Sequence, residues 1–320
     1  MQFENEVKAV DALHQSFLKI KSEINKVVIG QDEVIKSVLV AIFSNGHCLL
    51  VGVPGLAKTL LVQTVSSVLD LSFNRIQFTP DLMPSDIIGA EILGEDRHLK
   101  FIKGPIFSNI ILADEINRTP PKTQAALLEA MQEKAVTIAG QTHSLPQPFF
   151  VLATQNPIEQ EGTYPLPEAQ LDRFMFNIYL DYPAFEDELT IVKNTTSNRE
   201  VTLEKIINAS EIQFFQKLIR SIPITDHVLE YAVKLAAKTR PNTPLSSAAI
   251  NNYVSWGAGP RASQFLVLGA KCHAAISGKY APDIEDVQAI AEAILRHRIV
   301  RNYRAEAEGL SIAQIIKDLF

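Results

Sequence analysis

The residues whose types and spacing could do chemistry are Gly52-Val53-Pro54-Gly55-Leu56-Ala57-Lys58-Thr59. An apolar run, Cys48-Leu49-Leu50-Val51, leads into them, and a second, Leu60-Leu61-Val62, leaves them. The pattern reads as strand, glycine-rich loop and helix. Backbone N–H groups turned inward, with the positive end of a helix behind them, form a cradle for phosphate. Lys58 is spaced to reach β- and γ-phosphates, and the Thr59 hydroxyl to hold Mg²⁺. Ala57 stands where the general phosphate-loop pattern has a second glycine. Alanine is tolerated there if the position has ordinary backbone angles. An ordinary strand-to-helix turn is the plain alternative, and the Lys-Thr register speaks against it.

Five further residues extend that chemistry. Asn109-Ile110-Ile111-Leu112-Ala113-Asp114-Glu115 reads as a buried strand ending in two carboxylates. Ligands gather at the carboxyl ends of parallel strands. Asp114 is the expected Mg²⁺ partner of Thr59, mostly through water, and Glu115 the residue that orients and polarises the attacking water. Asn156 ends another apolar strand, Phe149 onward, where its amide could meet a γ-phosphate or the water; a turn asparagine before Pro157 is the duller reading. Arg173 follows a short helix and could stabilise transition-state charge if a neighbouring subunit supplies it. Arg261 opens a helix, against the dipole preference, which points to an anionic partner: nucleotide phosphate, or a carboxylate elsewhere in the chain.

The elements that must position these groups alternate between strand and helix through the first half of the chain. Residues 5–26 carry Val10, Leu13, Phe17, Ile20 and Ile24 at helical spacing, and Val28-Ile29-Gly30-Gln31 breaks that pattern before a second helix. Residues 89–103 and 136–145 each read as a hairpin inserted into the alternation. Thr119-Pro120-Pro121 opens a helix as cap and first turn. The composition changes near Asp181-Tyr182-Pro183, and helices alone are expected beyond it, with Ser210 and Gln213 spaced as a capping box. The expected division is a nucleotide-binding α/β domain with N-terminal helices over residues 1–182 and a helical domain over 183–320.

The chain has 320 residues, enough for about two domains and a sizeable core. Its net charge of −6, with no block of like charges, argues against a protein whose main task is gripping nucleic acid. Cys48 and Cys272 are isolated, which fits buried free thiols in a reducing compartment. No apolar run approaches a membrane span, so membrane insertion is not expected. Met1-Gln2-Phe3-Glu4 lacks the basic and apolar regions of a signal peptide. No metal-ligand spacing suggests zinc.

Taken together, these motifs resemble the MoxR family of AAA+ ATPases over about residues 5–320. Val28-Ile29-Gly30-Gln31, the Gly52 to Thr59 loop, Leu112-Ala113-Asp114-Glu115-Ile116-Asn117-Arg118 and Ala153-Thr154-Gln155-Asn156-Pro157 carry the resemblance. So do Leu166-Pro167-Glu168-Ala169-Gln170-Leu171-Asp172-Arg173-Phe174 and Gly259-Pro260-Arg261-Ala262. Ala57 matches the MoxR form of the loop. The resemblance implies an α/β P-loop core, a parallel sheet with helices on both faces and two inserted hairpins, plus an all-α lid. It implies ATP and Mg²⁺ as cofactors, with Val28, Ile29, Gly30 and Gln31 lining the adenine pocket. Gly52, Val53, Pro54, Gly55, Leu56, Ala57, Lys58, Thr59 and Leu60 would bind the nucleotide. Asn156 would be sensor 1, Arg173 a trans-acting arginine finger and Arg261 sensor 2, acting within its own subunit or on the neighbour. It further implies a cytoplasmic homo-hexamer that remodels or matures a protein client, often with a partner carrying a von Willebrand factor A domain.

Two other readings stand beside this one. A nucleotide-controlled scaffold with little turnover would have no need of Glu115, Asn156 and Arg173. A DNA-translocating motor should carry basic pore elements. Here the first insert sets Arg97, His98, Lys100 and Lys103 against Glu91, Glu95 and Asp96, and the second has no Lys or Arg.

Overall fold

The computed structural model describes residues 5–93, 97–158, 162–198 and 201–320. The strands are β1 (Cys48–Val51), β2 (Phe73–Gln77), β3 (Gly89–Leu93), β4 (Leu99–Lys103), β5 (Ile110–Asp114), β6 (Ala135–Ile138), β7 (Gln141–Ser144), β8 (Phe150–Gln155) and β9 (Phe176–Tyr179), with a short late pair, β10 (Val254–Trp256) and β11 (Val300–Arg301). The helices are α1 (Glu6–Asn25), α2 (Asp32–Phe43), α3 (Lys58–Val68), α4 (Pro84–Ile88), α5 (Pro121–Glu133), α6 (Glu168–Leu171) and α7 (Phe185–Thr195). They continue as α8 (Ala209–Ser221), α9 (Asp226–Lys238), α10 (Ala248–Tyr253), α11 (Pro260–Ile276), α12 (Ile284–Leu295), α13 (Tyr303–Ala307) and α14 (Ile312–Lys317).

Five strands form one sheet in the order β2-β5-β8-β1-β9, and the β2–β5, β5–β8 and β1–β8 pairings are parallel. β1 and β5 are buried at every position and β8 at all but its last, as strands covered on both faces must be. β2, at the edge, buries only Ile76. The sheet therefore aligns the carboxyl ends of β1, β5 and β8, where the phosphate loop, Asp114-Glu115 and Asn156 begin.

Both inserted hairpins are present. β3 pairs antiparallel with β4, Leu93 opposite Leu99; the turn residues Gly94, Glu95 and Asp96 lie outside the described residues. β6 pairs with β7 around a turn at Ala139 and Gly140, both at positive φ (47° and 81°). Phe101 of the first hairpin stacks on His143 of the second, ring centroids 4.2 Å apart.

Contacts divide the chain into two compact units. One comprises residues 18–166 and 178–213; the other comprises residues 1–17, 167–177 and 214–320. This differs from a division at 182/183. Residues 204–206 explain why: the Glu204 N–H donates to Glu23, Lys205 pairs with Asp70, and the Ile206 N–H donates to the Val68 carbonyl. These contacts, to α1 and to the end of α3, keep the stretch in the unit of residues 18–166.

The second unit packs α9, α11 and α12 together. Gly269 lets α11 approach α12, since a Cβ there would come within 2.5 Å of the Ile290 Cδ1. The unit is not purely helical, because β10 and β11 pair antiparallel. Two caps also differ from expectation. α8 is opened by Asn208, whose Oδ1 accepts from the Ser210 and Glu211 N–H groups while Glu211 accepts from the Asn208 N–H. α5 begins at Pro121 with no side-chain cap, and the Thr119 hydroxyl donates to the Ile116 carbonyl instead. Among the described residues no helix is long and apolar enough to cross a membrane.

Candidate functional site

β1 delivers the chain into the glycine-rich loop and α3 carries it away from Lys58. Gly55 sits at φ 87° with nothing within 4 Å of where a Cβ would be. Ala57 is also left-handed, at φ 54° and ψ 26°. The condition of ordinary angles at this alanine is therefore not met, and the loop holds a strain of about 1–2 kcal/mol that a glycine would not carry. Lys58 Nζ donates to the Gly52 carbonyl at 2.6 Å, folded along the loop it would serve. Burial draws the Lys58 pKa below its usual value, against the pull of Asp114 and Glu115. That opposing pull puts the ammonium within electrostatic reach of both carboxylates.

Asp114 is buried, with both oxygens engaged. Thr154 Oγ1 donates to its Oδ1 at 2.6 Å, and Arg75 donates to its Oδ2 through Nη2 at 2.6 Å and Nε at 3.1 Å. Glu115 follows in a left-handed conformation, φ 58°. Its backbone N–H donates to Thr154 Oγ1 at 2.8 Å, while Gln77 Nε2 at 2.9 Å and Arg118 Nε at 3.0 Å hold its Oε2. Asn156 is buried just beyond β8; its Oδ1 accepts from the Ile158 N–H at 3.1 Å, leaving the Nδ2 end of the amide outside the turn.

Val28, Ile29 and Gln31 line a cavity of about 120 Å³ together with Gly55, Leu56, Ala57 and Leu60. Gln31 Nε2 donates to the Leu56 carbonyl at 3.1 Å, tying the two stretches together. Gln31 Oε1 is a buried acceptor with no partner among the described residues. An apolar slot beside a phosphate loop, with one free acceptor, fits a purine carrying an exocyclic amine. Gly30 lies on the other side of this stretch, against Asp187.

Arg173 and Arg261 belong to the other unit. Arg173 is half-buried, and its side chain makes no hydrogen bond or ion pair among the described residues. Arg261 Nη1 donates to Asp172 Oδ2 at 3.0 Å, so of the two anionic partners open to it the carboxylate is the one observed.

Sequence reasoning singled out the loop, both carboxylates, Asn156 and the Val28 to Gln31 stretch, and these lie in one unit. It missed Thr154, Arg75, Gln77 and Arg118, which hold the carboxylates, and Ile191, Asn194 and Thr195 of α7, which complete the cavity wall. A signal existed for some of them. Thr154 is the polar residue at the end of an otherwise apolar run, and Arg75 and Gln77 alternate on one face of β2.

Comparison with known proteins agrees with this geometry. Residues 47–176 match the model of the ATPase family associated with various cellular activities (AAA), and residues 246–319 match an AAA lid domain. The chain is similar to the chaperone MoxR1 of Mycobacterium tuberculosis, 41% identical over 90% of this chain and 77% of that one. It is also similar to the uncharacterized protein YeaC of Bacillus subtilis, 40% identical over 96% and 94% of the two chains. The protein MoxR of Methylorubrum extorquens is 30% identical over 94% and 91%. Among solved structures, an ATPase candidate from Cytophaga hutchinsonii superposes with a TM-score of 0.92 at 44% identity, covering 98% of this chain and 95% of that one. With the motifs in place on a five-stranded parallel sheet, the chain belongs to the MoxR family of AAA+ ATPases.

Proposed function

We propose that this chain hydrolyses Mg²⁺-bound ATP in a ring of its own copies and uses the turnover to remodel a protein client. The observation that carries the reading is the pair Asp114-Glu115, fixed by Thr154, Gln77 and Arg118 at the end of β5, in the unit that also holds the phosphate loop.

The loop N–H groups and Lys58 would bind the phosphates, and the slot beside Gln31 the base. Thr59 and Asp114 would hold the metal, which when bound supplies charge neutralisation at the transferred phosphoryl group. Glu115 would orient the attacking water and accept its proton, with Asn156 aligning that water against the γ-phosphate. Arg173 would enter the neighbouring subunit's site, and Arg261 would bind phosphate when it leaves Asp172. A hexamer, a partner with a von Willebrand factor A domain and a cytoplasmic setting follow from the family resemblance. The name of the relative chaperone MoxR1 supports a protein client. So does the first hairpin, whose Leu93 and Leu99 are exposed at its outer end.

Replacing Glu115 with Gln tests the hydrolytic step. Turnover should fall on the order of 10²-fold or more while ATP stays bound, read by filter retention of labelled nucleotide. Turnover that survives would remove Glu115 from the role.

A further inference from the structure

The residue after α12 that follows His297 is a buried arginine with no part in the chemistry above. Arg298 is 6% exposed and directs most of its donors to residues 172–175. Nη2 donates to the Asp172 carbonyl at 2.8 Å and the Phe174 carbonyl at 2.7 Å. Nε donates to Asp172 Oδ1 at 2.7 Å. Nη1 donates to the Met175 carbonyl at 3.4 Å, to the Ile294 carbonyl and to His297 Nε2. The guanidinium also lies 5.2 Å from the Phe265 ring centroid. The two carbonyls it joins flank Arg173 on either side.

We propose that Arg298 is the positioning residue for Arg173, a clamp that fixes the backbone around it and leaves its side chain free. The proposal rests on the reading of Arg173 as the arginine supplied to a neighbouring site.

Three observations carry it. Burying a guanidinium costs several kcal/mol that hydrogen bonds must offset, and here those bonds converge on the residues either side of Arg173. Only a planar fork can bridge two carbonyls and a carboxylate at once. Third, the carbonyls on both sides of Arg173 are hydrogen-bonded, while the Arg173 side chain has no partner among the described residues. Burial pushes the Arg298 pKa down to about 10, against the pull of Asp172, so the clamp stays charged at neutral pH. The same environment keeps His297 neutral: burial first, then Arg298, press its pKa well below the usual value. Asp172 is bound by Arg298 and Arg261 together, so the clamp also connects Arg173 with Arg261.

The test uses the full chain with ATP turnover, nucleotide binding and thermal melting. Arg298→Lys keeps the charge and loses the fork; Arg298→Met fills the space with neither. Both should stay folded at the assay temperature, melting below the parent because Asp172 and the freed carbonyls lose a partner, and bind ATP within about twofold of it, while kcat falls on the order of 10²-fold, as for an ångström-scale misplacement. In an Arg173→Ala background, Arg298→Lys should add no further loss, because a positioning residue acts only through the group it positions. Turnover unchanged in both variants would overturn the proposal. So would a double variant slower than Arg173→Ala by the full factor that Arg298→Lys imposes on the parent. Unfolding of both variants at the assay temperature would make Arg298 a folding residue and overturn it too. If Arg173→Ala alone leaves turnover intact, the underlying reading of Arg173 fails, and the proposal with it.

Discussion

Arg75 holds the carboxylate of Asp114 from the neighbouring strand, with Nη2 at 2.6 Å and Nε at 3.1 Å from the same oxygen, Oδ2. The acid expected to serve a metal is thus already neutralised by a cation. Any divalent ion approaching Asp114 meets that charge, and Thr154 keeps the other oxygen oriented.

Removing Arg75 should therefore ease metal entry. The Arg75 side chain is 47% exposed, so the pair contributes no more than about 1 kcal/mol. In Arg75→Met, the Mg²⁺ concentration that half-saturates ATP binding should fall by about twofold to fivefold, and the nucleotide-free protein should melt slightly earlier. A higher Mg²⁺ requirement would mean that Arg75 assists binding.

Ala57 gives a prediction about the loop itself. At φ 54° it carries left-handed strain that glycine avoids, although glycine loses more entropy on folding. The balance favours Ala57→Gly by about 0.5–1 kcal/mol, a rise of about 2 °C in melting temperature. A lower melting temperature would show that the alanine methyl is engaged in packing.

How much was legible in the sequence follows from what each residue depends on. β1, β5 and β8 were legible because burial on both faces demands apolar runs, and the polar residues that end those runs stood out. The second hairpin was legible from its turn. Ala57 was not, because a φ angle is set by how the loop closes between β1 and α3. Arg75 and Thr154 were not assigned, because their roles come from register across β2, β5 and β8. The composition change at Asp181 marked where strands give way to helices, but contacts made by Glu204, Lys205 and Ile206 decide which unit that stretch joins.

Acid sensitivity should trace in part to His47. It is fully buried, donating through Nε2 to the Met131 carbonyl and accepting the Val151 N–H at Nδ1. Burial lowers its pKa to about 4 from 6.5. Below about 6.5 the unfolded chain takes a proton that the folded chain refuses until about 4. Stability is thus complete above 6.5 and falls through that window, by up to about 3 kcal/mol. Urea midpoints at pH 7, 6 and 5 should drop in the parent and drop less in His47→Gln. Equal slopes would assign the loss to other groups.

The central claim is that each site is completed by Arg173 of a neighbouring copy, and mixing two inactive variants tests it most directly. Lys58→Ala cannot use its own nucleotide but still carries Arg173; Arg173→Ala keeps its own site but lacks the arginine. Each alone should be nearly inactive, and a mixture should recover ATP hydrolysis as mixed assemblies form, most strongly near equal amounts. No recovery at any ratio, or full activity in Arg173→Ala alone, would contradict the shared site.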